Sequence, residues 1–413
     1  MTTRVAATVP APVAAGTAPP TGGAPRRGLV LGGGGMLGAA WTVGALCAVE
    51  EATGQPPGDA DLLLGTSAGA ILAALLSGGV RPEQLRDHQR GLPITEGPLA
   101  GVVFDYDTAV GGALPPRPRA GIGSPGLLRD AVRHPREYPL LTMVSAMAPH
   151  GRGSLAPVGE LVRGLLGPGG WPAPDAAADA VGPGADSEAG GPGADSEAVG
   201  PAASTVPGAA LRVAAVDYRS GHRVVFGDPD APAVPVADAV MASCAIPGWF
   251  APVRLDGSAY VDGGCWSATN ADLLLGRGLD EVYVLAPMAL RLDPRPERPG
   301  RAEGAGRAEG SGREGSGPLD RGRDTLAALR EWRARDRPRG VLAQLVSRYR
   351  RAVTRQLLRE AALLRAEGVR VRLLAPTLAD LAVAGPNMMD PARRGAVLES
   401  ALRTSREALR AAR

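Results

Sequence analysis

A five-residue turn between two apolar segments constrains this chain more than any other feature. Residues 62–64 (LLL) are typical of a buried strand, and residues 68–76 are typical of an apolar helix. Between them stands G-T-S-A-G, a G-x-S-x-G pattern. Such a turn holds a serine between strand and helix with the serine hydroxyl exposed. The two glycines have no side chains, so the backbones of the strand and the helix can approach each other closely. The pattern predicts Ser67 as a nucleophile, with an ordinary loop serine as the alternative.

A second glycine-rich turn, G-G-G-G at residues 32–35, lies between a predicted strand at 28–31 and a predicted helix at 36–51. Successive N–H groups after a strand can cradle an anion, either a phosphate or the oxyanion of a tetrahedral intermediate. A P-loop requires a lysine, and the chain contains none. A dinucleotide fingerprint fits weakly, because no acid ends the next strand. Nucleotide binding is therefore the weakest hypothesis for this loop.

A serine nucleophile needs a base, and the order of residues along the chain argues against histidine. In α/β-hydrolases the histidine follows the acid. The chain has four histidines: His88, His134, His150 and His222. All of them precede the D-G-G sequence at residues 262–264. Asp262 ends a predicted strand, where a carboxylate can approach the serine and accept its proton. The alternative is a turn aspartate, since Asp-Gly turns are common.

The alternation of strand, turn and helix predicts an α/β fold with a mostly parallel sheet. A hydrophobic content of 45% with only 3% aromatics predicts a core built from Ala, Leu and Val. Three cysteines without C-x-x-C spacing argue against a disulfide framework and a zinc site. No apolar run is long enough to span a bilayer. We therefore expect a cytoplasmic protein that associates with membranes peripherally, if at all.

Composition divides the chain into four predicted parts, with a tandem G-P-G-A-D-S-E-A repeat marking an insertion inside the second. The parts are a disordered tail (1–25), a catalytic domain (26–290, with a disordered insertion at 167–207), a low-complexity linker (291–320) and an Arg-rich helical part that completes the domain (321–413). This last part has 21 Arg against 9 Asp and Glu. Such an excess favours contact with an anionic surface, with a solvated helix face as the alternative.

Together, the motifs at residues 32–38 (GGGGMLG), 65–69 (GTSAG) and 262–264 (DGG) resemble, in the same order, those of patatin-like phospholipases. The segment ASCAIPGWFAPV at 242–253 resembles the stretch that precedes the family's catalytic Asp. The resemblance implies a three-layer α/β/α fold with a mostly parallel central sheet, here with low-complexity insertions and a helical C-terminal part. It also implies an acyl hydrolase that uses a Ser–Asp dyad, without metal or cofactor.

Carried over residue by residue, the resemblance makes Ser67 the nucleophile and Asp262 the base. The oxyanion hole is assigned to the N–H groups of Gly33, Gly34 and Gly35. Support of the motifs is assigned to Gly65, Gly69, Gly263 and Gly264. One position departs from the family pattern: Leu37 stands where an Arg or Lys usually precedes the last glycine.

The sequence therefore predicts a serine hydrolase of the phospholipase A, lysophospholipase or esterase type, which cleaves carboxylic esters of lipids. Its predicted partners are a lipid ester and, peripherally, an anionic membrane, with no nucleic acid. Leu37 motivates an alternative from another class, a non-catalytic lipid- or acyl-binding protein on the same fold.

Overall fold

A computed structural model describes residues 24–103, 116–172, 209–291 and 341–411 of the 413-residue chain. Its strands are β1 (Arg27–Leu31), β2 (Leu62–Thr66), β3 (Ala210–Asp217), β4 (Arg223–Phe226), β5 (Val253–Leu255), β6 (Ser258–Asp262), β7 (Glu281–Leu285) and β8 (Arg370–Leu374). Its helices are α1 (Gly35–Thr53), α2 (Ala68–Ser77), α3 (Pro82–Gln89), α4 (Pro125–Arg133), α5 (Leu140–Met147), α6 (Ala156–Leu166), α7 (Val236–Ser243), α8 (Val341–Ala366), α9 (Leu378–Ala384) and α10 (Arg394–Ala411).

The strands form one mixed sheet in the order β5-β6-β3-β2-β1-β7-β8, and β4 also pairs with β3. Strands β3, β2, β1, β7 and β8 run parallel to one another. Strands β4 and β6 pair antiparallel to β3, and β5 pairs antiparallel to β6. The predicted α/β fold with a mostly parallel sheet is thus confirmed, with an antiparallel extension at one edge.

Alternating side chains of the central strands enter two cores on opposite faces of the sheet. Leu29 and Leu31 of β1 face the larger core, which α1 and α2 cover. Val30 faces the second core, where it shares a cluster with Val353 and Leu357 of α8. Helices therefore cover both faces, which confirms the predicted three-layer arrangement.

The strands and helices predicted around the two glycine turns lie within two residues of their predicted bounds, as β1, α1, β2 and α2 show. Sequence patterns missed β5, which is three residues long, and α9, which begins with a capping box at Thr377 and Asp380. Two 3-10 turns, Ala271–Leu274 and Pro391–Arg393, are equally short. Such short elements depend on tertiary contacts more than on periodicity.

The C-terminal part contributes directly to the fold, because β8 pairs with β7 and extends the sheet. The division into four parts remains a prediction, since the tail before residue 24, nearly all of the 167–207 insertion and the 291–320 linker lie outside the described residues. Within the described ranges, no helix is both long and apolar enough to cross a membrane.

Candidate active site

The turn after β2 has the geometry that its sequence predicts. Ser67 has φ 54° and ψ −127°, an unusual backbone conformation for a residue other than glycine, and α2 begins at the next residue. A Cβ on Gly69 would overlap the carbonyl oxygen of Leu31, and a Cβ on Gly65 would overlap the backbone of Ala70. The two glycines therefore allow β2, β1 and α2 to meet, and the turn places Ser67 beyond the end of the strand.

A second serine holds this turn in place. The backbone N–H of Ser67 donates to Oγ of Ser243 at 2.8 Å, and that hydroxyl donates to the carbonyl oxygen of Ala214 at 2.7 Å. Ser243 is fully buried at the end of α7. It connects the turn to β3 and to α7, and it lies within the 242–253 segment. The sequence reasoning did not single it out, because no local pattern marks its distant partners.

Strand register brings Asp262 level with Ser67. Thr66 of β2 pairs with Ala214 of β3, and Asp262 of β6 pairs with the next residue of β3, Ala215. The Asp262 carboxylate accepts the N–H of Gly264 at 2.7 Å, and the Ser67 hydroxyl beside it lowers its pKa. Both side chains are buried. Two distant motifs thus meet across one intervening strand.

The environment of Asp262 changes its proton affinity. Burial raises the pKa of its carboxyl from 3.8 to about 6, and the hydrogen bonds from Ser67 and Gly264 oppose this rise. The carboxyl is therefore mostly ionised at neutral pH, yet it is a stronger base than an exposed aspartate. Such a group can accept a proton from a hydroxyl that attacks a carbonyl.

The glycine loop packs directly against Ser67, since a Cβ on Gly33 would lie 3.1 Å from the Cβ of Ser67. The N–H of Gly33 donates to the carbonyl of Ala268 at 2.8 Å, so it is engaged within the protein. Among the described residues, the N–H groups of Gly34 and Gly35 have no acceptor. These two donors, at the start of α1, are free to bind an anion beside Ser67.

A buried carboxylate supports the loop that follows Asp262. Glu360 of α8 accepts hydrogen bonds from Ser267 and Thr269 at 2.6 Å each, and from the N–H of Ala271 at 3.0 Å. Burial, and then the charge of Asp272, raise the pKa of Glu360. Because this loop also supplies the Ala268 carbonyl that binds Gly33, α8 helps to fix the glycine loop.

Ser67 lies in the lining of two cavities. We name the wider one, of about 420 Å³, the outer cleft; its lining includes Gly34, Asp262, Val144, Trp249 and Tyr349. We name the other, of about 100 Å³, the apolar pocket; its lining includes Ile71, Leu72, Leu75, Leu99, Val158 and Phe250. Ser67 and Gly35 line both. The site therefore has two separate spaces beside the Ser67 hydroxyl: the apolar pocket can hold an apolar chain, and the outer cleft can hold a bulkier group.

Helix α8 adds two neighbouring side chains that sequence patterns did not single out. Tyr349 lines the outer cleft, and burial followed by the charge of Asp262 raises its pKa. Arg350 is only 3% exposed and lies behind the wall of the cleft. Both belong to an Arg-rich segment in which only a three-dimensional structure separates buried from exposed positions.

None of the histidines forms a hydrogen bond with Ser67, whose side-chain partner among the described residues is Asp262. Nε2 of His150 is bonded to the carbonyl of Gly123, and His134 lies beside Glu137 on the surface. His88 lies on α3 and lines the apolar pocket. Across the described ranges, no cluster of three or more His, Cys, Asp or Glu side chains could hold a metal ion.

Comparison with known proteins places this arrangement in context. The family model described as "Patatin-like phospholipase" matches residues 29–275, more than half of the chain. Among solved structures, the chain is similar to VipD from Legionella pneumophila, with 14% identity and a TM-score of 0.38 over 94% of this chain and 67% of that one. No curated protein matches. From the family match, this chain belongs to the patatin-like phospholipase family.

Proposed function

We propose that this protein is a serine hydrolase that cleaves carboxylic esters of lipids, with Ser67 as nucleophile and Asp262 as base. Family membership supports lipid acyl hydrolase activity in general. The observation that carries the finer assignment is the strand register that brings the Ser67 hydroxyl beside the buried Asp262 carboxylate, whose pKa is raised to about 6. A base of this kind can activate a serine at neutral pH without a histidine.

In the proposed reaction, Oγ of Ser67 attacks the ester carbonyl while Asp262 takes its proton. The N–H groups of Gly34 and Gly35 stabilise the oxyanion of the tetrahedral intermediate. Gly33 was predicted to share this role, but its N–H is already bonded to Ala268, so we assign it to support of the loop. Asp262 then protonates the leaving alcohol. In the second half, Asp262 deprotonates a water that attacks the acyl-enzyme and releases the fatty acid.

The two cavities suggest how a lipid ester would bind. The apolar pocket, lined by aliphatic side chains of α2 and α6, suits the acyl chain. The outer cleft contains Asp262 and suits the alcohol portion of the ester. Its larger volume fits a glycerol-based leaving group better than the narrow pocket would. The ester bond would then lie over Ser67, between the two spaces.

Labelling with a fluorophosphonate probe, which reacts with activated serines, tests the proposal directly. We expect the parent protein to label and to hydrolyse a lipid ester, Ser67→Ala to do neither, and Asp262→Asn to be strongly impaired in both. Ser77→Ala, at the end of the same helix, is the matched control and should behave as the parent. Full labelling of the Ser67→Ala protein would overturn the assignment.

A second candidate function is lipid binding without turnover. It is favoured by Leu37, which is fully buried and leaves the glycine motif without its usual basic residue. Folded parent protein that binds phospholipid vesicles but neither labels nor hydrolyses ester would select this candidate over the hydrolase.

We further propose that the α5 face beside the outer cleft contacts a lipid surface. Leu140, Val144 and Met147 follow one face of α5 and are 75%, 54% and 59% exposed. Val144 also lines the outer cleft, so this face is continuous with the site. Helix α8 has exposed arginines at Arg348, Arg355 and Arg359. Because arginine side chains are attracted to anionic headgroups, they favour an anionic lipid as the partner.

Co-sedimentation with phosphatidylglycerol vesicles tests this contact. We expect Leu140→Asp, which changes the same face of α5 outside the cleft lining, to reduce vesicle binding and lipid hydrolysis, while hydrolysis of a short water-soluble ester is retained. Leu378→Asp, at an exposed position of α9, serves as the control and should bind as the parent does. Equal vesicle binding by the parent and Leu140→Asp would contradict the proposed contact.

A further inference from the structure

A buried arginine without a counter-ion lies beside the glycine loop. Arg350 of α8 is 3% exposed, and no carboxylate among the described residues pairs with it. Burial lowers its pKa to about 10, so the guanidinium remains charged at neutral pH. An unpaired buried charge is costly, and proteins retain such charges where they act on something nearby.

The guanidinium connects two backbone segments. Nη1 donates to the carbonyl oxygen of Pro287 at 3.3 Å, and Nη2 donates to Sδ of Met388 at 3.2 Å. Pro287 follows β7 by two residues, whereas Met388 follows α9. Arg350 therefore holds together two segments that are about 100 residues apart in the chain.

Both segments contact the glycine loop. A Cβ on Gly34 would lie 2.9 Å from Cγ of Pro287, so the proline ring packs against that residue. The carbonyl of Met388 accepts the N–H of Leu37 at 2.9 Å and lies 3.3 Å from where a Cβ of Gly35 would be. Arg350 thus holds the two segments that pack against Gly34 and Gly35, the residues whose N–H groups are available to an oxyanion.

We propose that Arg350 is a positioning residue for the oxyanion site: it orients Gly34 and Gly35 and places a positive charge behind them. This inference rests on the proposed hydrolase function. A fixed positive charge in a buried environment favours the anionic intermediate over the neutral ester, which lowers the barrier without strengthening substrate binding. The glycine motif itself has Leu37 in place of its usual Arg or Lys. Arg350 of α8 would supply a positive charge near the loop instead.

Kinetics of Arg350→Met with a short water-soluble ester test this role. We expect kcat to fall by about tenfold or more while KM changes little, because only the anionic state loses support. An alkyl trifluoromethyl ketone, which forms an anionic adduct with an activated serine, should bind more weakly by a similar factor. The melting temperature should stay the same or rise, because methionine removes a buried unpaired charge.

Two further variants separate this role from a purely structural one. Arg350→Lys keeps the charge, so its kcat and inhibitor affinity should fall less than those of Arg350→Met. The lysine variant also tests the proposal if the methionine variant fails to fold. Arg365→Met, at an exposed position near the end of the same helix, should behave as the parent. A folded Arg350→Met protein with parental kcat and inhibitor affinity, or equal losses in the Lys and Met variants, would overturn the proposal. A parent without Ser67-dependent hydrolysis would overturn the proposed function itself.

Discussion

Oγ of Ser243 accepts the backbone N–H of Ser67 at 2.8 Å, so the turn that carries the candidate nucleophile is fastened by a second serine 176 residues away. The same hydroxyl donates to the carbonyl of Ala214 in β3. One fully buried side chain therefore ties the G-x-S-x-G turn to the strand that lies between Ser67 and Asp262. Its loss would leave a buried donor and a buried acceptor unpaired.

We expect Ser243→Ala to destabilise the protein by about 1–3 kcal/mol, since buried groups left without partners cost this much. Because the strained Ser67 conformation would lose its tether, ester hydrolysis should fall as well. Urea unfolding and kcat/KM measure the two effects. Ser400→Ala, which removes a buried serine bonded to Asp380 in the C-terminal part, is the control: it should cost stability but leave kcat near that of the parent. Parental activity in Ser243→Ala would argue against a positioning role.

The raised pKa of Asp262 predicts an acid limb in the pH profile. Its carboxyl must be ionised to accept the Ser67 proton, so kcat/KM should fall as pH decreases through about 6. Rates of ester hydrolysis between pH 4.5 and 8 test this, with circular dichroism at each pH to show that the fold persists. A flat profile over this range would exclude Asp262 as the base.

The same shift predicts that Asp262→Asn stabilises the protein while strongly impairing ester hydrolysis. In the folded state the pKa of Asp262 is raised from 3.8 to about 6, so its stabilising contribution is complete below pH 3.8 and is lost as pH rises through 6. At pH 7.5 the ionised carboxylate thus costs on the order of 3 kcal/mol, which asparagine avoids.

Thermal unfolding of Asp262→Asn at two pH values measures this effect. The melting temperature should exceed that of the parent at pH 7.5, and the difference should disappear near pH 4. Asp130→Asn, on α4 and outside the outer cleft, is the matched control. A variant that is less stable than the parent at pH 7.5 would show that the carboxylate is not penalised by burial.

Narrowing the apolar pocket should change which acyl chains are accepted. Ile71 of α2 lines this pocket, and Ile71→Phe would fill part of its volume of about 100 Å³. We expect kcat/KM to fall more for long acyl esters than for short ones. The ratio of the two kcat/KM values should change by about tenfold, because the narrowed pocket would exclude a few methylene groups of the long chain. Ile122→Phe, at a position 55% exposed, is the control. An unchanged chain-length profile would place the acyl chain elsewhere.

The sequence by itself determined the fold class and the order of the motifs, and it predicted the two residues that we propose as nucleophile and base. Glycines at 65 and 69 can be recognised without a structure, because a sharp strand-to-helix turn excludes side chains there for local steric reasons. Asp262 emerged because no histidine follows it in the chain. The family resemblance then joined three weak patterns into one prediction of family membership, which the family match confirms; the roles of Ser67 and Asp262 remain a proposal.

Only the tertiary structure decided which groups around Ser67 are available. Gly33, Gly34 and Gly35 are equivalent in sequence, yet the N–H of Gly33 is bonded to Ala268, whereas those of Gly34 and Gly35 have no acceptor within the described part of the chain. Among the arginines of α8, burial distinguishes Arg350 from its exposed neighbour Arg348. Hydrogen-bond partners and burial depend on chain segments that lie far apart in sequence, and no local pattern records them.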